Sequence, residues 1–563
     1  MARTVTRWLG LRSLAAAGLT AGLATPALGA PAVAAPPVPK LIVAISVDQF
    51  SAGLFDRYRA TFTGGLKTLQ AGVVFPNGYQ SHAATETCPG HSTILTGRHP
   101  AATGIVANTW FDDATGETTY CVADTSVTLP GRDKPVGPAR LKVPTLGEWL
   151  KAANPASRVY AVSGKDRAAI TMAGHSPDGV FWWDDDRGFT TYVPAGGTAE
   201  ARLAPVAASN AAIFAAWKKA APAWKVADPR CRFDTGPHAY GELTIDHELP
   251  PAGYAMKPGA DLRGDAAFLA RFRASPGIDR IVADLAEKLV VTEKLGKGPA
   301  PDLLAVSFSA TDYVGHRFGA GSPEMCDQLA HLDATIGELL GRLTALKVRV
   351  LVVLTADHGG IDAAEGISER GFPADRIDAG AVFKSVAKEV RDTLKLDYDP
   401  LGGDLTDIHV LARDATPAVR ARILAATRVA LGRHPHVVNI FTRAEALAGL
   451  PPKGKPADEL TLLERIAEST DAGRSGDLLT VLAPYATTGA ARVGYIAGHG
   501  SPWNYDRRVP ILFWWPGAQG FEQPLPIETV DIAPTLAAVV GVKVPEVDGR
   551  CLDLDRGAGT TCR

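Results

Sequence analysis

An α/β fold, with a central, mostly parallel sheet flanked by helices, follows from three features of the chain. Four short apolar runs, LIVAISV, VYAVSG, LLAVSFS and VLVVLTA, are nearly continuous rather than alternating. Strands buried on both faces read this way, and they occur in parallel sheets that helices cover. Each run delivers a charged residue at the same end: Asp48, Lys165, Asp312 and Asp357. Helix-like stretches such as AVFKSVAKEVRDTLK, TPAVRARILAATRVAL and DIAPTLAAVVG complete the pattern.

Open α/β sheets place ligands outside the carboxyl ends of their strands, so four charged residues at that end point to one shared site. Thr87, in SHAATETCPGHSTILTG, precedes Pro89 and Gly90, which suit a tight turn into a helix. The N–H groups at such a helix start would face an anion, although an ordinary capped helix from Pro89 reads the same way. Asp312 and His316 are four apart, so one helical turn puts both on one face. Asp357 and His358 are adjacent and both turn inward only where a loop leaves the strand; His499 stands alone in AGHGSPW.

A free hydroxyl is a poor nucleophile, and a divalent metal can hold it as the alkoxide at neutral pH. Oxygen and nitrogen donors without cysteine suit zinc, with manganese and iron fitting less well. The donors divide into Asp312, His316 and His499 on one ion, and Asp48, Asp357, His358 and Thr87 on a second. This is the donor set of a two-metal hydrolase.

Thr87-x-Pro89-Gly90-His91 followed by STILTGRHPAATGIVAN, with Asp48, Asp312-x-x-x-His316, Asp357-His358-Gly359 and His499-Gly500, resembles the alkaline phosphatase superfamily. The resemblance runs from about Lys40 to Pro545 and is closest to the monomeric, threonine-nucleophile bacterial enzymes. It implies a zinc-dependent phosphate monoester hydrolase with two Zn²⁺ ions, a phosphothreonine on Thr87 and an alkaline-phosphatase-like sheet. Lys165-x-Arg167 resembles the pair that contacts the non-bridging phosphate oxygens in those enzymes, and Asn108 in VANTW their phosphate-binding asparagine. The backbone N–H of Cys88 is the further implied phosphate donor. Nucleotide pyrophosphatase/phosphodiesterases share the metal ligands but typically read Thr-x-Pro-Asn-His and lack the Lys-x-Arg pair. Sulfatases of the superfamily need Cys-x-Pro-x-Arg, which Cys88 does not begin. A phosphodiesterase, a phosphonate hydrolase and an inactive metal- or phosphate-binding protein are the alternatives.

Residues 1 to about 35 have the form of a secretory signal peptide: Arg3, Arg7 and Arg12, an Ala/Leu-rich stretch, then small-residue cleavage options. A membrane anchor is disfavoured because the apolar stretch is short and broken. A periplasmic or secreted, soluble mature protein follows. A formal net charge of −2 leaves no basic stripe for nucleic acid. The resemblance implies small phosphate esters as partners and a monomer. Six cysteines allow 15 pairings if all join. Cys551 with Cys562 could close a C-terminal loop, and Cys88 with Cys121 could brace the Thr87 segment, unless Cys88 is a buried free thiol.

The catalytic unit spans 36–563. Strands and ligands cluster at about 40–170 and 300–360, with a return at 478–545. A cap insertion at about 170–300 would include FWWDDDRGFTTYV, which resembles the cap bordering the family's active site; a hairpin packing Trp182 and Trp183 on the core is the other reading. A small α+β insertion occupies about 362–477, with PPKGKPADE on its surface.

Overall fold

The computed structural model describes residues 38–231, 236–247, 249, 262–412, 416–555 and 561–562; the expected signal segment lies outside them. Ten strands form the central sheet: β1 (Leu41–Val47), β2 (Val73–Tyr79), β3 (Val159–Ser163), β4 (Gly179–Asp184), β5 (Gly188–Thr190), β6 (Asp302–Phe308), β7 (Val350–Thr355), β8 (Arg508–Trp514), β9 (Phe521–Glu522) and β10 (Ile527–Glu528). Their order is β9-β2-β8-β7-β1-β6-β3-β4-β5, with β10 also on β2. Parallel pairing joins β7, β1, β6, β3 and β4, while β8 runs antiparallel to both β7 and β2.

The four apolar runs are β1, β3, β6 and β7, at the centre of this sheet. Along β1, Leu41, Val43, Ile45 and Val47 join one core cluster and Ile42 and Ala44 the other, which is why the run is continuous. Helix Pro323–Ala345 covers the first face with Leu329, Leu332, Ile336, Leu339 and Leu343, an i, i+3, i+4 stripe. Helices Leu146–Ala153 and Ile532–Val539 cover the second with Trp149, Leu150 and Leu536. Ser46 lies opposite Ser307 on one side and Thr355 on the other, and Ser307 lies opposite Ser163. The four strands therefore end level, and the residues that follow them emerge along one edge.

FWWDDDRGFT forms β4 and the antiparallel edge strand β5. Trp182 and Trp183 enter opposite cores, so this segment is a sheet-edge hairpin. The chain stays in the central sheet through Thr190, and the first insertion starts there, later than the expected residue 170. Its helices Ala199–Lys219 and Ala266–Arg273 pack on that edge through aromatic rings: Trp183 lies 5.6 Å from Trp217 and 5.9 Å from Phe272.

The second insertion contains a four-stranded antiparallel sheet, ordered Leu401–Gly403, Asp407–Val410, Leu478–Leu482, Val437–Thr442. Helices Ala379–Leu394 and Pro417–Leu431 cover it around Val386, Val390, Ile408, Ile423 and Leu478. The strand at Leu478–Leu482 belongs here, so this unit extends past the expected boundary at 477 and the return to the central sheet is β8. Disulfides join Cys88–Cys121, Cys231–Cys326 and Cys551–Cys562. Cys88 is thus bonded and not a free thiol. Among the described residues no helix is long and apolar enough to cross a membrane.

Trp183→Ala should destabilise the protein by about 3–5 kcal/mol, because it empties the aromatic contact between sheet edge and insertion. Denaturant unfolding measures this; a loss under about 1 kcal/mol would show that the edge packs without the indole.

Candidate metal and phosphate site

Helix α1 (Thr87–Ile94) is buried along its whole length, with Thr87 at its first position. Pro89 falls in the first turn, where a missing N–H breaks no helical bond. A Cβ on Gly90 would stand 2.0 Å from the Asp357 carbonyl oxygen, so only glycine lets α1 seat against the end of β7. Helix α2 (Asp166–Ala173) starts just after Lys165, and helix α3 (Ala310–Phe318) carries Asp312 and His316 on one turn.

Three histidines are aimed by their backbones. His316 Nδ1 lies 2.8 Å from the Ala497 carbonyl, His358 Nδ1 2.8 Å from that of Gly359 and His499 Nδ1 2.9 Å from that of Thr85. A carbonyl only accepts, so Nδ1 carries a proton and each ring turns its Nε2 inward. His316 and His499 Nε2 are 3.2 and 3.3 Å from Asp312 Oδ1. His358 Nε2 is 3.4 Å from both Asp48 Oδ1 and Asp357 Oδ2. Lone pairs facing carboxylate oxygens call for a cation or a proton between them. Against burial, the Asp312 carboxylate raises the His499 pKa to about 9, whereas burial pushes His358 down to about 3.

Carboxylates crowd the same space. Burial, then the charges of Asp312 and Asp357, push Asp48 well above the usual range. Burial would also raise Asp312, but His316 and Lys165 hold it low; His358 and His91 do the same for Asp357. Lys165 Nζ bridges Asp48 Oδ2 at 2.6 Å and Asp312 Oδ2 at 2.5 Å, at the centre of the cluster. Asp48 Oδ1, Asp312 Oδ1, Asp357 Oδ2 and His358 Nε2 are buried without a hydrogen-bond partner among the described residues. Donor atoms converge to within 4.8 Å in two groups, Asp312/His358/His499 and Asp48/Asp357/His358. This chemistry fits two divalent ions, with His316 added to the first group and His358 within reach of both.

Beside these groups lie Arg167 and Asn108, the residues expected to meet an anion. Arg167 Nη2 is 3.4 Å from Thr87 Oγ1, and its buried Nε has no partner among the described residues. Asn108 Oδ1 accepts the Cys88 N–H at 2.8 Å. That N–H therefore orients the Asn108 side chain, and the two phosphate donors that the sequence resemblance implied stand side by side.

Several positioning residues escaped the sequence reading. His91 Nδ1 lies 2.9 Å from the Thr87 carbonyl and 3.0 Å from Asp357 Oδ2, while its Nε2 is 3.0 Å from Ser307 Oγ. Its four-residue spacing from Thr87 was the available signal. Glu86 Oε2 accepts the Asn108 N–H at 2.6 Å. Tyr120 Oη donates to Asp166 Oδ1 at 2.7 Å and lies 3.5 Å from Arg167 Nη1, steadying the guanidinium. Nothing local in the sequence marks Glu86 or Tyr120.

The sequence profile of the type I phosphodiesterase / nucleotide pyrophosphatase family matches residues 42–490. The chain belongs to that family. The family lies within the alkaline phosphatase superfamily. Its relatives include alkaline phosphatase PhoD of Zymomonas mobilis, 41% identical over 532 residues that cover 93% of this chain and 89% of that protein. Alkaline phosphatase PhoK of a Sphingomonas species is 42% identical over 93% of this chain and 92% of its own length. The crystal structure of alkaline phosphatase PafA superposes with a TM-score of 0.78 at 24% identity, covering 93% of this chain and all of that one, which establishes the family fold.

Gly90→Ala forces α1 away from Asp357. A displacement of about 1 Å at Thr87 should lower turnover by about 10²-fold, with a lower melting temperature from overpacking. Unchanged turnover and melting would show that α1 is not seated by this contact.

Proposed function

We propose that this chain is a zinc-dependent phosphate monoester hydrolase, an alkaline phosphatase acting through a phosphothreonine at Thr87. One juxtaposition carries the reading: inward-facing imidazole Nε2 atoms and unsatisfied carboxylate oxygens stand beside an unpartnered Arg167 Nε and a buried hydroxyl. The names of the relatives agree with it.

When bound, two divalent ions held by Asp312, His316 and His499 and by Asp48, Asp357, His358 and Thr87 would supply Lewis acidity to the reacting oxygens. Thr87 Oγ1 attacks phosphorus in line; the Oγ1–P bond forms as the ester O–P bond breaks. Water then attacks phosphorus from the same side the alcohol left, releasing phosphate and restoring the hydroxyl. Arg167, Lys165 and the Asn108 amide hold the non-bridging oxygens, since phosphoryl transfer depends mainly on positioning and charge stabilisation. Tyr120 and Asp166 keep Arg167 in place, and α1 holds Thr87 in a dry, fixed position. A monoester dianion carries more charge on its free oxygens than a diester, which is why two cations favour the monoester. Diester hydrolysis is the second reading, favoured by the breadth of the matching family. Three disulfides support export to the periplasm or medium behind a signal peptide at residues 1 to about 35.

Thr87→Ala should reduce turnover by at least about 10³-fold, and acid-quenched wild type should carry labelled phosphate on Thr87. Label on another residue identifies a different nucleophile. Exhaustive chelation should abolish activity and zinc should restore it, while a His316→Ala/His499→Ala protein should hold one zinc fewer than wild type. Full activity after chelation, or an unchanged zinc content, overturns the metal assignment.

The pair of cations separates the two substrate classes. With each lost charge-assisted donor worth on the order of 3 kcal/mol, Lys165→Ala/Arg167→Ala should lose at least about 10³-fold in monoester kcat/KM and much less in diester kcat/KM. Equal losses would mean that the pair supports the site as a whole, and a wild-type preference for diesters would make the diesterase reading the better one.

A further inference from the structure

A second set of metal-type donors lies outside the site described above. His99 precedes the short helix Pro100–Thr103, Glu468 caps the C-terminus of helix Leu462–Ala467, and Glu528 ends β10. His99 Nε2 is 3.5 Å from Glu468 Oε1 and 3.8 Å from Glu528 Oε1, too long for good hydrogen bonds. Donor atoms of all three nevertheless converge to within 4.8 Å. His99 Nδ1 lies 3.3 Å from Ser81 Oγ, which leaves Nε2 for the carboxylates. Glu468 is 4% exposed, and its Oε2 has no hydrogen-bond partner among the described residues. A buried carboxylate oxygen left without a partner is costly unless a cation supplies the missing interaction.

The arginine nearby lends its charge to Glu468 but no hydrogen bond to Glu468 Oε2. Arg507, the buried cation of this region, donates to the Ser81 and Ala457 carbonyls and to Asn504 Oδ1. The Asp548 carboxylate accepts the backbone N–H of His99 at 2.8 Å, which adds negative charge near this residue. One imidazole and two carboxylates, completed by water, suit zinc or manganese; calcium takes six to eight oxygen ligands.

We propose that His99, Glu468 and Glu528 bind a divalent transition ion, zinc or manganese, at a structural site separate from the Asp48/Asp312/Asp357 cluster. The ion ties together three segments far apart in sequence: the stretch that carries Thr87, the chain within the second insertion before its last strand, and the sheet-edge strand β10. It makes the placement of α1 depend on a metal that takes no part in the chemistry.

Elemental analysis after gel filtration in metal-free buffer tests this on wild type, His99→Ala and Glu468→Gln. Each variant is expected to hold one ion fewer per chain than wild type. The comparison is a difference, so it does not depend on how many ions the Thr87 site holds; the His316→Ala/His499→Ala protein should still lose a further ion when Glu468→Gln is added. Equal ion counts in wild type and Glu468→Gln would overturn the proposal and leave a protonated His99 between two carboxylates. Should either variant fail to fold, anomalous diffraction from wild-type crystals at the zinc and manganese edges decides: a peak at His99 Nε2 supports the site and its absence refutes it.

Discussion

Three carboxylates, Asp48, Asp312 and Asp357, are buried in one cluster with an ammonium between the first two, and the rest of the structure serves that concentration of charge. Desolvation of even one unpaired carboxylate is costly, and three so close together repel one another. Lys165 compensates part of the charge, and inward Nε2 atoms of three histidines line the remainder. A protein that merely needed a core would fill this space with Leu or Val. Retaining unsatisfied oxygen and nitrogen donors there makes sense as a cation site, and cations next to a buried hydroxyl and a guanidinium whose Nε has no partner among the described residues make sense as a phosphoryl-transfer site.

The scaffold meets the need for rigidity in two ways. Level strand ends place Asp48, Lys165 and Asp357 two residues beyond a single row of paired hydroxyl positions, so their backbones inherit the register of the sheet. Helix α1 is then locked on that row from above, through Gly90 against Asp357 and through His91 against Ser307 and Asp357. The two insertions leave this arrangement intact because each has its own means of attachment: an aromatic cluster at the β4–β5 edge for the first, and a separate hydrophobic core for the second.

The central strands were legible because burial on both faces leaves a plain mark, an unbroken apolar run, and because each run ends in a charged residue. The donor residues that converge there were legible for the same reason, helped by the four-residue spacing of Asp312 and His316 on α3. Boundaries were harder. The segment with Trp182 and Trp183 resembles the family's cap and also reads as a hairpin packed on the core; that its two indoles enter opposite cores is visible only in the sheet pairing. Likewise LLTVL at Leu478–Leu482 looks like any other buried strand, and its partners Asp407–Val410 and Val437–Thr442 assign it to the insertion.

By itself the sequence determined the fold class, the strands that meet at the site and the residue types that can hold metal and phosphate, because these depend on local periodicity and on chemistry carried by single side chains. Tertiary structure alone decided which groups satisfy one another. The Cys88 N–H goes to Asn108, Glu86 holds the Asn108 backbone, Tyr120 and Asp166 steady Arg167, and His99 meets Glu468 and Glu528 from 369 and 429 residues away. Such pairings are set by the three-dimensional path of the backbone, since a hydrogen bond or a shared cation requires two groups within about 3–4 Å and leaves no periodic trace along the chain.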